Sequence, residues 1–378
     1  MIDACAGCLR RTELIAWLAG RIEHEWRLRR GRPQLLALPD AELLRWAGEP
    51  DIARRYEAFG ADLALDRLVA AGLGATCRCS VAYPAGLREL PDPPAVVHTA
   101  GDPALLVSDG VALVGARNPT PYGLEVVRAL ARGLGAAGVT VVSGMAMGID
   151  SAAHAGALDQ GRTVAVLATG ADRPYPARAH GLHRRIAAAG CVVSELPPGF
   201  GPRRWAFPAR NRLIAGLSAG TVVVEGGERS GSLITSDFAA ELGRFVGGVP
   251  GPVTSRLSAG PHALLKAGAE VVRGAEDVLD LLHGAVAASG SARVVVGAGP
   301  RPLAPRPAPA PPPPDLAPGL GRLLEQVERG KGSLAELVRD PADGFAVSRD
   351  LGELELRGLV RRVAGGRYIR AVTAPSPG

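Results

Sequence analysis

No run of 18 or more apolar residues occurs in this chain of 378 residues, although 47% of them are hydrophobic. A membrane-spanning helix needs about 20 such residues, so none is expected and no membrane partner is predicted. The opening Met1-Ile2-Asp3-Ala4-Cys5 lacks a basic segment followed by an apolar one, which argues against a signal peptide. The expected setting is the cytoplasm. Lysine is nearly missing too: of 43 basic residues only Lys266 and Lys331 are lysines. A net charge of +6 is ordinary at this length and names no partner by itself. Arginine's planar fork matches phosphate bidentately, so arginine clusters carry more information than the total. A GC-rich genome would enrich arginine equally.

Cysteine is scarce, at Cys5, Cys8, Cys77, Cys79 and Cys191. A reducing compartment disfavours disulfides. Cys5-x-x-Cys8 and Cys77-x-Cys79 could combine into a four-thiolate zinc site, but Cys-x-Cys is tighter than a usual zinc knuckle. Free thiols and no metal are the expectation. A Walker A sequence is absent, so P-loop nucleotide hydrolysis has no support. Two familiar patterns are present in the wrong context. Gly133-x-Gly135-x-x-Gly138 matches a dinucleotide fingerprint, yet it closes a helix and precedes a strand instead of following one. Gly216-x-Ser218-x-Gly220 matches a nucleophile elbow with the same reversal. Both read as glycines that stop helices.

Leu14, Leu18 and Ile22, then Leu43, Leu44, Ile52 and Leu63 to Val69, recur at helical spacing, with breaks at Pro33, Pro39 and Gly48-Glu49-Pro50. Residues 1–80 are therefore expected to form a small helical domain, whose Arg27, Arg29, Arg30 and Arg32 fit a solvated face or a nucleic-acid contact. Residues 81–104 are too proline-rich for regular helix and lead, as an extended segment, into the main domain over 81–284. There, short apolar runs alternate with helical stretches such as Leu124–Leu134 and Ser232–Leu242. The expected strands are Val111–Val114, Thr140–Ser143, Thr163–Leu167, Cys191–Ser194, Thr221–Glu225, Phe245–Val249 and Glu270–Val272. Continuous apolar runs mark strands buried on both faces, and β–α alternation gives an α/β, doubly wound, mostly parallel sheet of Rossmann-like type. Residues 285–318 are rich in proline and alanine and read as an extended linker. From Gly319, helical patterns at Leu320–Val327, Leu334–Val338 and Val347–Leu356 precede a hairpin through Gly365-Gly366, the parts of a winged helix. Such modules bind DNA or protein, and nothing in the tail decides between them.

Three glycine-rich turns follow strands of the main domain: Val114-Gly115-Ala116-Arg117-Asn118, Ser143-Gly144-Met145-Ala146-Met147-Gly148-Ile149-Asp150, and Glu225 through Ser230-Gly231-Ser232. In an open parallel sheet, ligands bind outside the carboxyl ends of strands at the topological switch point. Glycine lets backbone amides approach a ligand, and helix N-termini there favour anions. Arg117, beside Gly115, is expected to face the crevice. Ser143, Gly144 and Gly148 are candidates for cradling a phosphate, and Ser230, Gly231 and Ser232 for an anion nest. Each has a plain alternative: a surface charge for Arg117, an N-cap for Asp150 and for the serines. Ser151 and His154 near Asp150 suggest a hydrolytic set only weakly, since no base–nucleophile geometry follows from that spacing. The run Arg203-Arg204-Trp205-Ala206-Phe207-Pro208-Ala209-Arg210-Asn211-Arg212 interleaves four arginines with two aromatics. Single-stranded nucleic acid needs such charge for its backbone and such faces for its bases. The alternative is a loop whose aromatics are core and whose arginines are solvated.

Together these residues resemble the DNA-processing protein A (DprA/Smf) family. The similarity rests on Tyr83-Pro84 through Leu90-Pro91-Asp92-Pro93-Pro94, Val114-Gly115-Ala116-Arg117, Ser143-Gly144-x-Ala146-x-Gly148-Ile149-Asp150 with His154, and Tyr175-Pro176. It continues through Ser194-Glu195, Phe207-Pro208-x-Arg210-Asn211-Arg212, Val224-Glu225, Ser230-Gly231-Ser232-Leu233-Ile234-Thr235 and Val249-Pro250-Gly251. The resemblance implies a Rossmann-like core between an N-terminal helical domain of sterile-alpha-motif or helix-hairpin-helix type and a winged-helix-like tail. It also implies a dimeric, non-enzymatic protein without cofactor that binds and protects incoming single-stranded DNA in natural transformation and helps load the RecA recombinase. Arg117 and Arg212 would hold phosphates, Phe207 would stack on a base, and Arg204, Arg210 and Asn211 would lie along the DNA path. Ala116 departs from the family's usual serine and removes a hydroxyl donor, and arginines at 203–204 stand where a lysine is common. Two other readings stay open. One is a phosphoribohydrolase-like enzyme on small nucleotides, although Glu225-Gly226-Gly227-Glu228-Arg229-Ser230-Gly231 lacks that catalytic loop pattern. The other is a protein scaffold with a vestigial crevice.

Overall fold

The computed structural model describes residues 2–29, 34–289, 316–328, 337–338, 343–363 and 367–370. Those up to 289 belong to one compact unit and those from 316 onward to a second. No described helix is long and apolar enough to cross a membrane.

The first unit is built on ten strands: β1 (Ile2–Asp3), β2 (Gly74–Cys77), β3 (Val96–Gly101), β4 (Gly110–Val114), β5 (Thr140–Ser143), β6 (Thr163–Val166), β7 (Cys191–Ser194), β8 (Gly220–Val223), β9 (Phe245–Gly248) and β10 (Glu270–Val271). They lie in the order β1-β2-β3-β7-β6-β5-β4-β8-β9-β10. Strand β3 is antiparallel to both neighbours, and the other pairings in this sheet are parallel. From β4 the chain winds outward through β5, β6 and β7, then returns to β8 on the opposite side of β4. The switch point is thus between β4 and β8.

All seven strands expected from Val111 onward are present. Their side chains alternate between two covering layers, because successive Cβ atoms point to opposite faces. Val111 and Leu113 of β4 join Val127, Leu130 and Leu134 of helix Pro121–Ala136 and Ile149 and Ala153 of helix Ile149–Ala157. Ala112 and Val114 instead face Leu213 and Ile214 of helix Ala206–Gly216. Full burial of each such valine or leucine stabilises by roughly 1.5–3 kcal/mol.

Strands β1, β2 and β3 escape the sequence pattern. Strand β1 is an edge strand of two residues and β2 has only four, both too short to show alternation, and β3 begins just after Pro93-Pro94-Ala95. Their presence changes the reading of residues 1–80: this segment is not purely helical, since it adds β1 and β2 to the sheet. Its helices Ala6–Trp17, Ala19–Arg29 and Asp40–Ala47 also bring Leu14, Leu18, Ile22 and Leu43 against Trp205, which is 1% exposed. The loop after β4 also ends earlier than its prolines suggest. Pro121 is the first residue of its helix, where no backbone donor is needed, and the Thr120 hydroxyl accepts from the Gly123 amide at 3.2 Å. At the other end, helix Ala275–Ser289 runs into the expected linker, and residues 290–315 of that segment lie outside the described residues.

The second unit contains helix Pro318–Glu328, helix Gly344–Leu356 and an antiparallel hairpin of β11 (Val360–Val363) and β12 (Arg367–Arg370). Leu320, Leu324, Leu351, Leu354 and Val360 form its core. Most of the expected middle helix and the Gly365-Gly366 turn fall outside the described residues.

Two histidines are locked into the first unit in neutral form. His98 of β3 lies 3.3 Å from the Ser194 carbonyl oxygen through Nδ1, and burial pulls its pKa down to about 4. His154 lies 2.7 Å from the Thr163 hydroxyl, and burial pulls it to about 3. Both folded values are below the unfolded value, so the unfolded chain binds more protons in between. Their contribution is complete above about pH 6.5 and is lost as pH falls toward 4 for His98 and toward 3 for His154. The urea midpoint should therefore drop across this window, with a shallower dependence in His98→Gln. A midpoint that rises on acidification would contradict this.

Candidate functional site

The three glycine turns leave the carboxyl ends of β4, β5 and β8 and meet at the switch point. Glu225, 3% exposed, ties two of them together: its carboxylate accepts from the Thr120 amide at 2.8 Å and from the Thr120 hydroxyl at 2.6 Å. The turn after β5 is pinned by Asp150, whose Oδ2 accepts from the amides of Gly144 at 3.2 Å and Ala146 at 3.4 Å. Gly148 has φ +81°, and a Cβ there would collide with the carbonyl oxygens of Ala116 and Arg117. Only glycine lets the β5 turn close over the β4 turn.

Beneath these turns sits Arg210, 7% exposed. Its Nη1 donates to the Gly144 carbonyl at 2.6 Å and also to the Val166 carbonyl. Burial pulls its pKa down to about 10; Asp150 opposes that shift and Arg117 adds to it. Arg210 therefore stays charged at neutral pH. Asp150 moves the other way: burial raises its pKa, against the lowering pull of Arg210, the two amides and Arg117.

Above this floor opens a cleft of about 360 Å³, lined by all three turns and by Arg204, Phe207 and Asn211. Arg117 and Arg204 are exposed, and among the described residues no carboxylate forms an ion pair with either. The Arg117 guanidinium carbon is 6.0 Å from the centre of the Phe207 ring, and the Tyr175 ring packs on Phe207 at 5.3 Å between centroids. Phe207 separates the cleft from a smaller one of about 90 Å³ that also contains Tyr175, Met147 and Thr169. On the opposite wall the Asn211 amide donates to the Gly231 carbonyl at 3.1 Å and positions the β8 turn. Ser230 and Ser232 share a hydroxyl–hydroxyl bond of 2.7 Å. Ser232, at the N-cap of the following helix, makes no side-chain cap bond, while the Ser230 hydroxyl accepts from the Ser232 amide at 3.4 Å. The cleft can thus offer hydroxyls, two unpaired guanidinium groups and an aromatic face.

Of the sequence candidates, Gly115, Arg117, Arg204, Phe207, Arg210, Asn211, Ser230, Gly231 and Ser232 line this cleft together. Others have different work. Arg212 cannot hold a phosphate here. It is 3% exposed, and pairs with Glu195 at 2.7 Å and Asp92 at 2.9 Å. Burial opposes its charge, but those two carboxylates outweigh that and hold its pKa above the usual arginine value. On a helix, two residues apart is more than half a turn, so Arg210 and Arg212 must diverge. Ser143 is corrected as well, because its buried hydroxyl donates to the Leu113 carbonyl at 2.7 Å. Gly144 offers no free amide: Asp150 already fills the nest, and a Cβ at 144 would collide with the Arg210 guanidinium. Gly148 likewise packs turn on turn. The suggested hydrolytic set is not assembled, since Ser151 donates to the Ala146 carbonyl at 2.5 Å and His154 is fully buried against Thr163.

The sequence reading missed Trp26, which reaches the cleft from helix Ala19–Arg29, and named Tyr175, behind Phe207, only as part of Tyr175-Pro176 without a role at the site. Trp26 gives no signal of its own, because it lies on an amphipathic helix far away in sequence. Glu225 was quoted only as part of a turn, and its tie to Thr120 spans 105 residues.

Arg212→Ala leaves the half-buried Glu195 and Asp92 carboxylates without their buried partner, so it should lower unfolding free energy by about 3 kcal/mol, the low end for breaking a buried pair. Arg117→Ala and Arg204→Ala, at exposed positions, should stay within about 0.5 kcal/mol. Chemical denaturation of the three variants decides it. Equal stability of Arg212→Ala and the parent chain would restore Arg212 as a candidate ligand contact.

A family model described as DNA recombination-mediator protein A matches residues 75–283, more than half of the chain. A Mycobacterium tuberculosis protein carrying the DprA name is 52% identical over 172 residues, which is 45% of this chain and 44% of that relative. The match thus spans less than half of that relative's length. The solved structure of DNA processing protein A from Streptococcus pneumoniae superposes with a TM-score of 0.60 at 33% identity, covering 74% of this chain and 98% of that one. That of the Helicobacter pylori protein, described as having a unique single-stranded DNA binding mode, gives a TM-score of 0.50 at 30% identity over 53% of this chain and 93% of that one. With its switch-point cleft and the matching stretch from 75 to 283, the chain belongs to the DNA recombination-mediator protein A family, DprA/Smf.

Proposed function

We propose that this chain binds single-stranded DNA along the switch-point cleft, without catalysis, as a recombination mediator. The observation that carries the reading is the Arg117–Phe207 pair: an unpaired guanidinium beside an aromatic face at the mouth of the cleft. A backbone phosphate and an unstacked base need those two groups side by side. Arg204 extends the charge along the cleft wall, and Ser230 and Ser232 supply hydroxyl donors. Arg210 and Arg212 support the site from the interior, where they hold the helix in place, and Asn211 fixes the β8 turn on the cleft wall. A mediator of this kind, acting as a homodimer in the cytoplasm during natural transformation, would protect incoming strands and hand them to the RecA recombinase. The single-stranded DNA binding described for the Helicobacter pylori relative supports this reading.

A titration of single-stranded and duplex oligonucleotides over a salt series tests it. Single strands should bind more tightly, with log affinity falling steeply against log salt. Arg117→Ala and Arg204→Ala should each flatten that slope by about 0.7, the value for one single-strand phosphate contact. Phe207→Ala should weaken binding by about 1–3 kcal/mol while leaving the slope unchanged. Weak, equal binding of both forms, indifferent to all three substitutions, would overturn the proposal. Release of free base from nucleoside monophosphates would favour a phosphoribohydrolase instead.

A further inference from the structure

Away from the cleft, four of the five cysteines converge at the edge of the sheet. The Cys5 and Cys8 sulfurs come from the turn after β1 and the first turn of helix Ala6–Trp17, and those of Cys77 and Cys79 from the end of β2 and the turn beyond it. All four Sγ atoms lie within 4.8 Å of one another. Cys79 Sγ is 3.7 Å from Cys8 Sγ and 4.0 Å from Cys5 Sγ. We propose that Cys5, Cys8, Cys77 and Cys79 bind one zinc ion as a structural tetrathiolate site that staples the N-terminal helix to the sheet.

The distances select this reading over its rivals. Four sulfurs at about 2.3 Å from a central zinc sit about 3.8 Å from each other, near the spacings found here. A disulfide brings two sulfurs to about 2.0 Å, and no cysteine of this chain is so paired. An iron–sulfur cluster would spread its cysteines around an inorganic core, which a 4.8 Å group has no room to enclose. The tight Cys77-x-Cys79 spacing is no obstacle. Cys77 ends β2 and Cys79 stands in the turn that follows, closed by the Ser80 amide donating to the Cys77 carbonyl at 2.9 Å, so the reversal of the chain brings both sulfurs to one point.

The surroundings are built for a metal. The Cys5 amide donates to the Cys77 sulfur at 3.4 Å, an arrangement that steadies a thiolate. The turn carrying Cys79 is braced on both sides: Arg88 donates to the Arg78 carbonyl at 2.6 Å and to the Ser80 carbonyl. Cys8 and Cys77 are buried against Leu9, Leu68 and Leu73, while Cys5 and Cys79 reach the surface and give the ion a way in. The closure spans about seventy residues of chain, from Cys8 to Cys79, and would hold β1 and its helix on the sheet edge.

The full chain, purified under reducing conditions without chelator, should contain about one zinc per molecule by elemental analysis. Cobalt exchanged into the site should give intense sulfur-to-cobalt charge-transfer bands and the visible bands of a tetrahedral ion. Cys79→Ser, at an exposed position, should lose both signals, and Cys191→Ala should keep them. Zinc removal should lower the Tm of the parent chain and leave that of Cys79→Ser nearly unchanged. The parent chain also decides the matter without variants. Failure to retain zinc after reconstitution, iron in its place, or two disulfides by mass in the native protein would each overturn the proposal.

Discussion

Arg210 is the constraint on which the cleft depends. A guanidinium buried at the carboxyl end of the sheet must satisfy its donors inside the protein, because an unpaired buried charge is far more costly than an unmade neutral hydrogen bond. Through Nη1 it does so on the carbonyls of Gly144 and Val166, the residues that end the β5 and β6 region, with Asp150 nearby as counter-charge, while its buried Nε has no partner among the described residues. Asp150 in turn gathers the amides of the β5 turn. The glycine at 144 exists for this arrangement, since any side chain would displace the arginine. The chain therefore places its own carboxylate where the turn would otherwise seat a phosphate.

Filling that nest internally moves recognition outward. Arg117 and Arg204 face solvent, and Phe207 presents its ring between two clefts with Tyr175 behind it. The division is physical: groups committed to each other in low dielectric set the shape, and groups left in water are free to meet a charged ligand. The helix Ala206–Gly216 carries both kinds. Its Phe207 and Asn211 look into the cleft, while Arg212 turns away to Glu195 and Asp92 and fastens the helix to the proline-rich segment before β3. The N-terminal helices close over Trp205 at the head of the same helix, so the first 80 residues take part in shaping the site through Trp26.

Local chemistry was enough for much of this. Apolar runs four or five residues long, separated by helix-length stretches, determine β4 to β8 and the doubly wound α/β core, because a strand buried on both faces has no other composition available. Turns at strand ends, with Arg117 and the basic-aromatic run beside them, determine which surface can receive an anion. Those inferences need only neighbours in sequence. Which arginine faces the ligand is a different matter. Arg210 and Arg212 are alike in type and two residues apart, and only the carboxylates and carbonyls brought in from β5, β6, Asp92 and Glu195 commit both to the interior. The same holds for Ser143, claimed by the Leu113 carbonyl, and for the four sulfurs at the sheet edge, whose meeting depends on β1 pairing with β2. Long-range partners decide whether a polar side chain is spent or free, and spacing along the chain carries no record of them.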